Sequence, residues 1–430
     1  MQCDKALWVK ALRLMKHGVD PKSHMPMLGD VVVSAEGGTL TISGTTLERN
    51  VRINLPCEGD LEPVVIEWKP LLTVTTAGKA KKNAVITFEK LESGLRLETG
   101  GRKFEVPNGH PLDGRPVSIR DGTGKCAIEA FNADRLLPAL EYVVPALCGD
   151  ETRFHINLLA FDQGRLVATD GHRMHAALNV GGFHIDNLAH QVLCNCGRVL
   201  IDAIKATKCS WVMARTWRSG RKEFVRGPNE YSLEGSMLDV LIREKFGDTT
   251  YPPIDQVIPQ HEDFCVLDGA RFRESAETAQ KVMRATVGED KGVTILVNGE
   301  MRLDGGSFAE VLELDEPAAR EQAVGANPRF LVEAARGADA ITFRYGGPLD
   351  PILIETDQDC LGVVMPMRVD GIEYDNATSE EPEDDEPDCG EDDAPMEESP
   401  CDAADGNCAE CASRHDCPTY DDEELEHDCA

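Results

Sequence analysis

The chain is 430 residues long, 41% hydrophobic and 28% charged, with 15 Cys and a formal net charge of -32. Such a length supports two to four domains, each with its own core, and no apolar run approaches the roughly 18 residues of a membrane helix or fits a signal peptide, so a cytoplasmic protein is expected. Irregularly spaced cysteines read as reduced thiols, which excludes a small secreted disulfide scaffold.

The first predicted element is a helix near the start. At about 100° per residue, Leu7, Trp8, Ala11, Leu12, Leu14 and Met15 share one arc, while Lys5, Lys10, Arg13 and Lys16 occupy the other. Ala6 and Val9 interrupt the basic arc. Val31–Val33 then predicts a strand, and Gly38–Gly44 a hairpin leading to Val51–Ile53. The order recurs. Asn132-Ala133-Asp134 predicts the start of a helix that Pro138 shortens or kinks; Phe154–Ile156 predicts a strand, and Gly164–Gly171 a hairpin running to Ala177 and Leu178. Cys194-Asn195-Cys196 falls in a predicted strand, with a structural role. A third helix, near 270 to 285, sets Phe272, Ala276, Ala279, Val282 and Met283 against Arg273, Glu274, Glu277, Lys281 and Arg284. Val293–Val297 and Gly299–Gly305, leading to Val311–Leu314, complete the third round. The body is therefore read as α+β, three copies of one helix-plus-sheet unit over 1–121, 122–256 and 257–370.

Beyond Asp370 the composition changes. Of the 76 acidic residues 24 lie in 371–430, against a single Arg, so most of the net charge belongs to this segment. With few large apolar residues it cannot offset its ordering entropy and is expected to be disordered. Cys408, Cys411, His415 and Cys417 supply enough ligands for a tetrahedral zinc site, at a spacing tighter than that of common zinc modules. The simpler reading is reduced Cys without a cofactor.

Three strings, in order on the three copies, resemble the bacterial β sliding clamp family, the processivity subunit of DNA polymerase III. They are Met25–Asp30 with Gly38–Glu48, then Leu166-Val167-Ala168-Thr169-Asp170-Gly171-His172-Arg173-Met174, then Val363-Val364-Met365-Pro366-Met367-Arg368-Val369. The resemblance covers residues 1 to 369. It implies three repeated DNA-clamp domains whose helices line a ring and whose antiparallel sheets form its outside, closed by two chains head to tail. It also implies a non-catalytic protein that encircles double-stranded DNA and captures short peptides from DNA polymerase and clamp-loader subunits, without a membrane.

Carried over residue by residue, the groove for those peptides comprises Ile156, Thr169, Gly171, His172, Arg173, Met174, Pro252, Val257, Val363, Val364, Met365, Pro366, Met367 and Arg368. Asn327, Phe330, Leu349 and Pro351 match more loosely. Methionines suit such a site because they repack around different apolar anchors. Gln256 departs from the family, which commonly has Arg there. The DNA-facing set is Lys5, Lys10, Arg13, Lys16, Lys22, Lys205, Lys208 and Lys281, with Lys79, Lys81, Lys82, Arg215, Arg218, Arg221 and Lys222 as weaker candidates. Asp170-Gly171-His172-Arg173 reads as a tight turn rather than a catalytic or metal site, since nothing near it supplies further ligands or an orienting group. An alternative within the same fold is a mobile-element or paralogous clamp whose acidic tail modulates loader or polymerase access. A metal-dependent nucleic-acid enzyme would need a convergent carboxylate cluster, which the sequence does not offer.

Overall fold

Each copy runs through the same order: strand, helix, four strands, helix, three strands. The computed structural model describes residues 1–77, 84–111, 126–150, 152–162, 164–180, 192–217, 229–245, 251–286, 291–316, 320–369 and 372. The first copy comprises β1 (Gln2–Asp4), α1 (Lys5–Leu14), β2 (Asp30–Glu36), β3 (Thr39–Thr45), β4 (Arg49–Pro56), β5 (Leu61–Glu67), α2 (Trp68–Thr76), β6 (Val85–Leu91), β7 (Gly94–Thr99) and β8 (Arg102–Pro107). The second comprises β9 (Cys126–Asn132), α3 (Ala133–Val143), β10 (Leu159–Asp162), β11 (Arg165–Thr169), β12 (Arg173–Ala177), β13 (Val192–Cys194), α4 (Gly197–Thr207), β14 (Trp211–Trp217), β15 (Asn229–Glu234) and β16 (Asp239–Glu244). The third comprises β17 (Phe264–Asp268), α5 (Gly269–Thr286), β18 (Val293–Val297), β19 (Met301–Gly305), β20 (Phe308–Leu312), β21 (Gln322–Ala326), α6 (Pro328–Ala334), β22 (Ala340–Arg344), β23 (Ile352–Thr356) and β24 (Cys360–Val364).

Every copy contributes two four-stranded antiparallel sheets, and neighbouring copies fuse theirs. Strand β4 pairs with β16, giving the order β5-β2-β3-β4-β16-β15-β14-β9; β12 pairs with β24, giving β13-β10-β11-β12-β24-β23-β22-β17. At the first seam Ile53 faces Val240 and Val51 faces Ile242, all four buried. Two four-stranded sheets are left over, β1-β6-β7-β8 and β20-β19-β18-β21. Because sheets run through the seams, Met1–Tyr374 holds together as one unit by contacts; the second unit, Asp375–Ala430, lies outside the described residues, as do Cys408, Cys411, His415 and Cys417.

The helices bury one face each against these sheets. Asp4 caps α1, its carboxylate accepting from the Leu7 N–H at 2.9 Å, and Trp8, Ala11 and Leu12 are fully buried. Trp8 meets Phe88 edge-on at 4.8 Å. Asn132 caps α3 in the same way, and α3 continues through Pro138 to an 11-residue length. The small residues Ser275, Ala276 and Ala279 let α5 lie close to its sheet.

Three sequence expectations are corrected. Lys5 is buried, 6% exposed, because it is the first residue of α1 and its N–H donates to Ala84 O beside β1; it does not join the basic arc. Phe154–Ile156 is a turn, and the strand begins instead at Leu159. Of the Cys194-Asn195-Cys196 string, Cys194 ends β13 while Cys196 is buried at the start of α4. Among the described residues no helix is long and apolar enough to cross a membrane.

Candidate functional site

At the seam of β12 with β24 the sheet is apolar on both faces. Strand alternation aims Ala160, Val167, Met174, Ala176, Leu353, Leu361 and Val363 away from the helices, and sends Leu166, Ala168, His175, Ala177 and Val364 toward them. Tyr251 and Ile254 lie on the outward patch and close it into a small core of its own. Covered on both sides, β12 is buried at all five positions.

One end of this patch is bounded by the turn from Thr169 to Arg173. Asp170 Oδ1 accepts from the N–H groups of His172 and Arg173 at 3.0 and 3.1 Å, and Thr169 Oγ1 accepts from the Gly171 N–H at 3.1 Å. Gly171 has a φ of +86°, a conformation glycine adopts without strain. The Met365 N–H donates to His172 O at 2.9 Å, which ties the end of β24 to the turn. Arg153 reaches the same turn, its Nη1 donating to Asp170 O at 3.4 Å. Around it large apolar side chains stand in solvent: Phe154 at 65%, Val257 at 38% and Met365 at 38% exposed.

The sequence-derived groove residues divide by depth. Met174 and Val363 form the floor, and Ile156 is buried in the neighbouring turn. Thr169, Gly171, His172, Pro252, Val257, Met365, Pro366, Met367 and Arg368 are half-buried or exposed around it. Arg173 and Val364 are corrected, because they are cross-strand partners on the helix side. The Arg173 guanidinium is almost wholly buried, donating to Asp170 Oδ2 at 3.1 Å and Pro145 O at 2.5 Å, pairing with Glu333, and lying 4.4 Å over the Phe330 ring. Burial is the main influence lowering its pKa, opposed by Asp170. It braces the turn from behind. Phe330 belongs to that brace, and Asn327 caps α6 by accepting from the Arg329 N–H. Leu349 is exposed, and Pro351 O accepts a bond from His261 Nε2. Gln256 is exposed beside Asp255, which pairs with Arg165 at 2.6 Å.

The arrangement suits capture of an extended apolar segment. Both Asp170 oxygens are engaged by the turn. His175 is held neutral, with burial lowering its pKa to about 4 against the opposing bond to Tyr142 O; its ring stacks on Tyr142 at 4.9 Å.

The helices carry the other candidate surface. Arg13, Lys16, Lys22, Lys205, Lys208 and Lys281 are exposed and Lys10 is half-buried. Lys16 pairs with Asp202 at 2.7 Å, Lys205 with Glu141 at 2.5 Å and Lys281 with Glu277 at 3.8 Å. Arg215 lies on β14 and pairs with Glu230. Lys79, Lys81, Lys82, Arg218, Arg221 and Lys222 lie outside the described residues.

No protein-family model matches the chain. It is 23% identical over 396 residues to the β sliding clamp of Caulobacter vibrioides, covering 85% of this chain and 99% of that one. It is 24% identical over 382 residues to the β sliding clamp of Pseudomonas aeruginosa, covering 84% and 97%. A crystal structure of the sliding clamp (DNA polymerase III subunit beta) of Bartonella birtlesii bound to griselimycin shares the fold with a TM-score of 0.71 at 20% identity, over 86% of this chain and 99% of that one. The corresponding subunit of Thermotoga maritima aligns with a TM-score of 0.70 at 19% identity, again over 86% and 99%. Over most of its length the chain is similar in sequence to β sliding clamps and shares their fold.

Several residues of the seam had no counterpart in the sequence reading. Tyr251 and Ile254 cover the outer patch from a loop, where no periodicity marks them. Arg153 and Phe154 were hidden at the edge of a triplet that resembled a strand. An exposed aromatic next to a turn-bonded arginine would have been the signal.

Proposed function

We propose that the chain is a non-catalytic DNA sliding clamp. Two copies close head to tail around duplex DNA, and the groove at the β12–β24 seam tethers DNA polymerase and clamp-loader subunits through short peptide motifs, conferring processivity. The observation that carries this reading is the equivalence of the edges. Both internal seams join the third strand of a copy's middle quartet (β4, β12) to the last strand of the next copy (β16, β24). The strands left at the two ends are β20 and β8, the third of the middle quartet of the last copy and the last strand of the first. A second chain supplies each with the partner that the internal seams prescribe, and the closed ring leaves no edge at these positions. The helices then face inward with their lysines and arginines, and the apolar seam faces outward. The reading calls for no cofactor.

Retention on DNA tests it, because a ring held by topology slides off free ends. Protein loaded on circular DNA should be retained much longer than protein on linear DNA with open ends, and blocking the ends should restore retention. Equal lifetimes on both would sink the ring.

A further inference from the structure

The cations on the helical face are not all free to meet a phosphate. Lys16, just past the end of α1, is held by Asp202 of α4 at 2.7 Å, and the same carboxylate oxygen lies 2.8 Å from His17 Nε2. One turn along α4, Lys205 is held by Glu141 of α3 at 2.5 Å. All four members of the two Lys–carboxylate pairs are partly open to solvent, between 38% and 53% exposed, so the pairs can open without disturbing the core. Burial raises the Asp202 pKa, but the bonds from Lys16 and His17 outweigh it and hold the group below its ordinary value, hence ionised. Arg13, exposed on α1, pairs with no carboxylate among the described residues.

Resting on the clamp reading, we propose that Asp202 and Glu141 stand in for DNA phosphates on Lys16 and Lys205, so that each contact of these lysines with the duplex is an exchange of one anion for another. The consequence is a matter of counterions. A free lysine that neutralises a phosphate releases a condensed cation and steepens the salt dependence of binding by about 0.9 in log–log slope. A lysine that leaves a carboxylate to do so exposes that carboxylate, which takes up a cation in return, and the net release is close to zero. These two lysines then guide the duplex without gripping it, and salt changes leave their contribution nearly unaltered. Asp202 and Glu141 are thus positioning residues for sliding, acting through the lysines they hold.

The test is a salt titration of full-length protein binding a short fluorescent duplex between about 50 and 200 mM salt. It is run above pH 7, where His17, its pKa lowered chiefly by burial, is neutral. Asp202→Asn and Glu141→Gln should each steepen the slope by about 0.9, and together by about 1.8, with tighter binding at low salt. Asp202→Glu, which keeps the anion, should behave as wild type, and Arg13→Ala should flatten the slope by about 0.9. Wild-type slopes in Asp202→Asn and Glu141→Gln, beside a flattened slope in Arg13→Ala, would overturn the inference while leaving the clamp reading in place. Salt-insensitive binding by every variant would instead overturn the DNA reading beneath it.

Discussion

Met365 and Met174 lie at the same seam yet should fail differently when truncated. Met365 is exposed at the rim, so Met365→Ala should weaken partner-peptide binding about tenfold, near 1.4 kcal/mol, with an unchanged melting temperature. Met174 is 2% exposed in the floor, and Met174→Ala should cost about 2–5 kcal/mol of folding stability. Calorimetry of peptide binding and thermal unfolding separate the two. His175 adds a pH dependence. Its folded pKa of about 4 lies below its ordinary 6.5, so the unfolded chain binds the extra proton between these values and stability is lost as pH falls through that window, at up to roughly 1.4 kcal/mol per unit. His175→Phe, which keeps a ring against Tyr142, should show a shallower loss than wild type over that range in chemical denaturation. The string from Leu166 to Met174 marked β11, its turn and the start of β12 at the seam, but which way each side chain faces was not legible. Neighbours in sequence alternate sides in a strand, which is why Arg173 and Val364 turned out to point toward the helices.

Among the elements, helices announced themselves most clearly. The buried arcs of α1 and α5 follow the periodicity of their sequences, since one wall of sheet demands one apolar stripe. The hairpins β2–β3, β11–β12 and β18–β19 with β20 were legible from glycine and alternation together. What stayed hidden was pairing between distant strands, because nothing local in β4 names β16, which lies a whole copy farther along the chain. The free edges give the element-scale prediction. Phe308 on β20 and Phe104 on β8 are only half-buried, whereas inward residues at the internal seams are fully covered. Phe308→Glu should leave the monomer folded but raise the dimer dissociation constant at least about 100-fold, a loss near 3 kcal/mol. Light scattering across a dilution series reads that change, and an unaltered dimer mass would remove β20 from the interface.

For the molecule as a whole, β24 is not the last segment that holds the third copy together. Past β24 the backbone crosses to the neighbouring sheet, where the Met367 N–H donates to Gly325 O at 2.8 Å and Val369 packs over Gly292. Any side chain at 325 would collide with Met367 O. Truncation after Asp370 should therefore leave oligomer mass and melting temperature unchanged, while truncation after Val364, or Gly325→Ala, should lower the melting temperature by several degrees in differential scanning fluorimetry. A tail that tunes partner access would show itself as salt-dependent differences in on-rate between full-length and shortened protein.

The fused sheets carry one more consequence. If β4–β16 or β12–β24 parts, its two strands remain on one chain and meet again at an effective concentration in the millimolar range. In the proposed ring a β8–β20 seam would have no such tether, so it would re-form only as fast as two molecules find each other. In that proposed ring, dilution, heat or a prying partner would part the joint between chains first, because the continuous polypeptide protects the two internal seams.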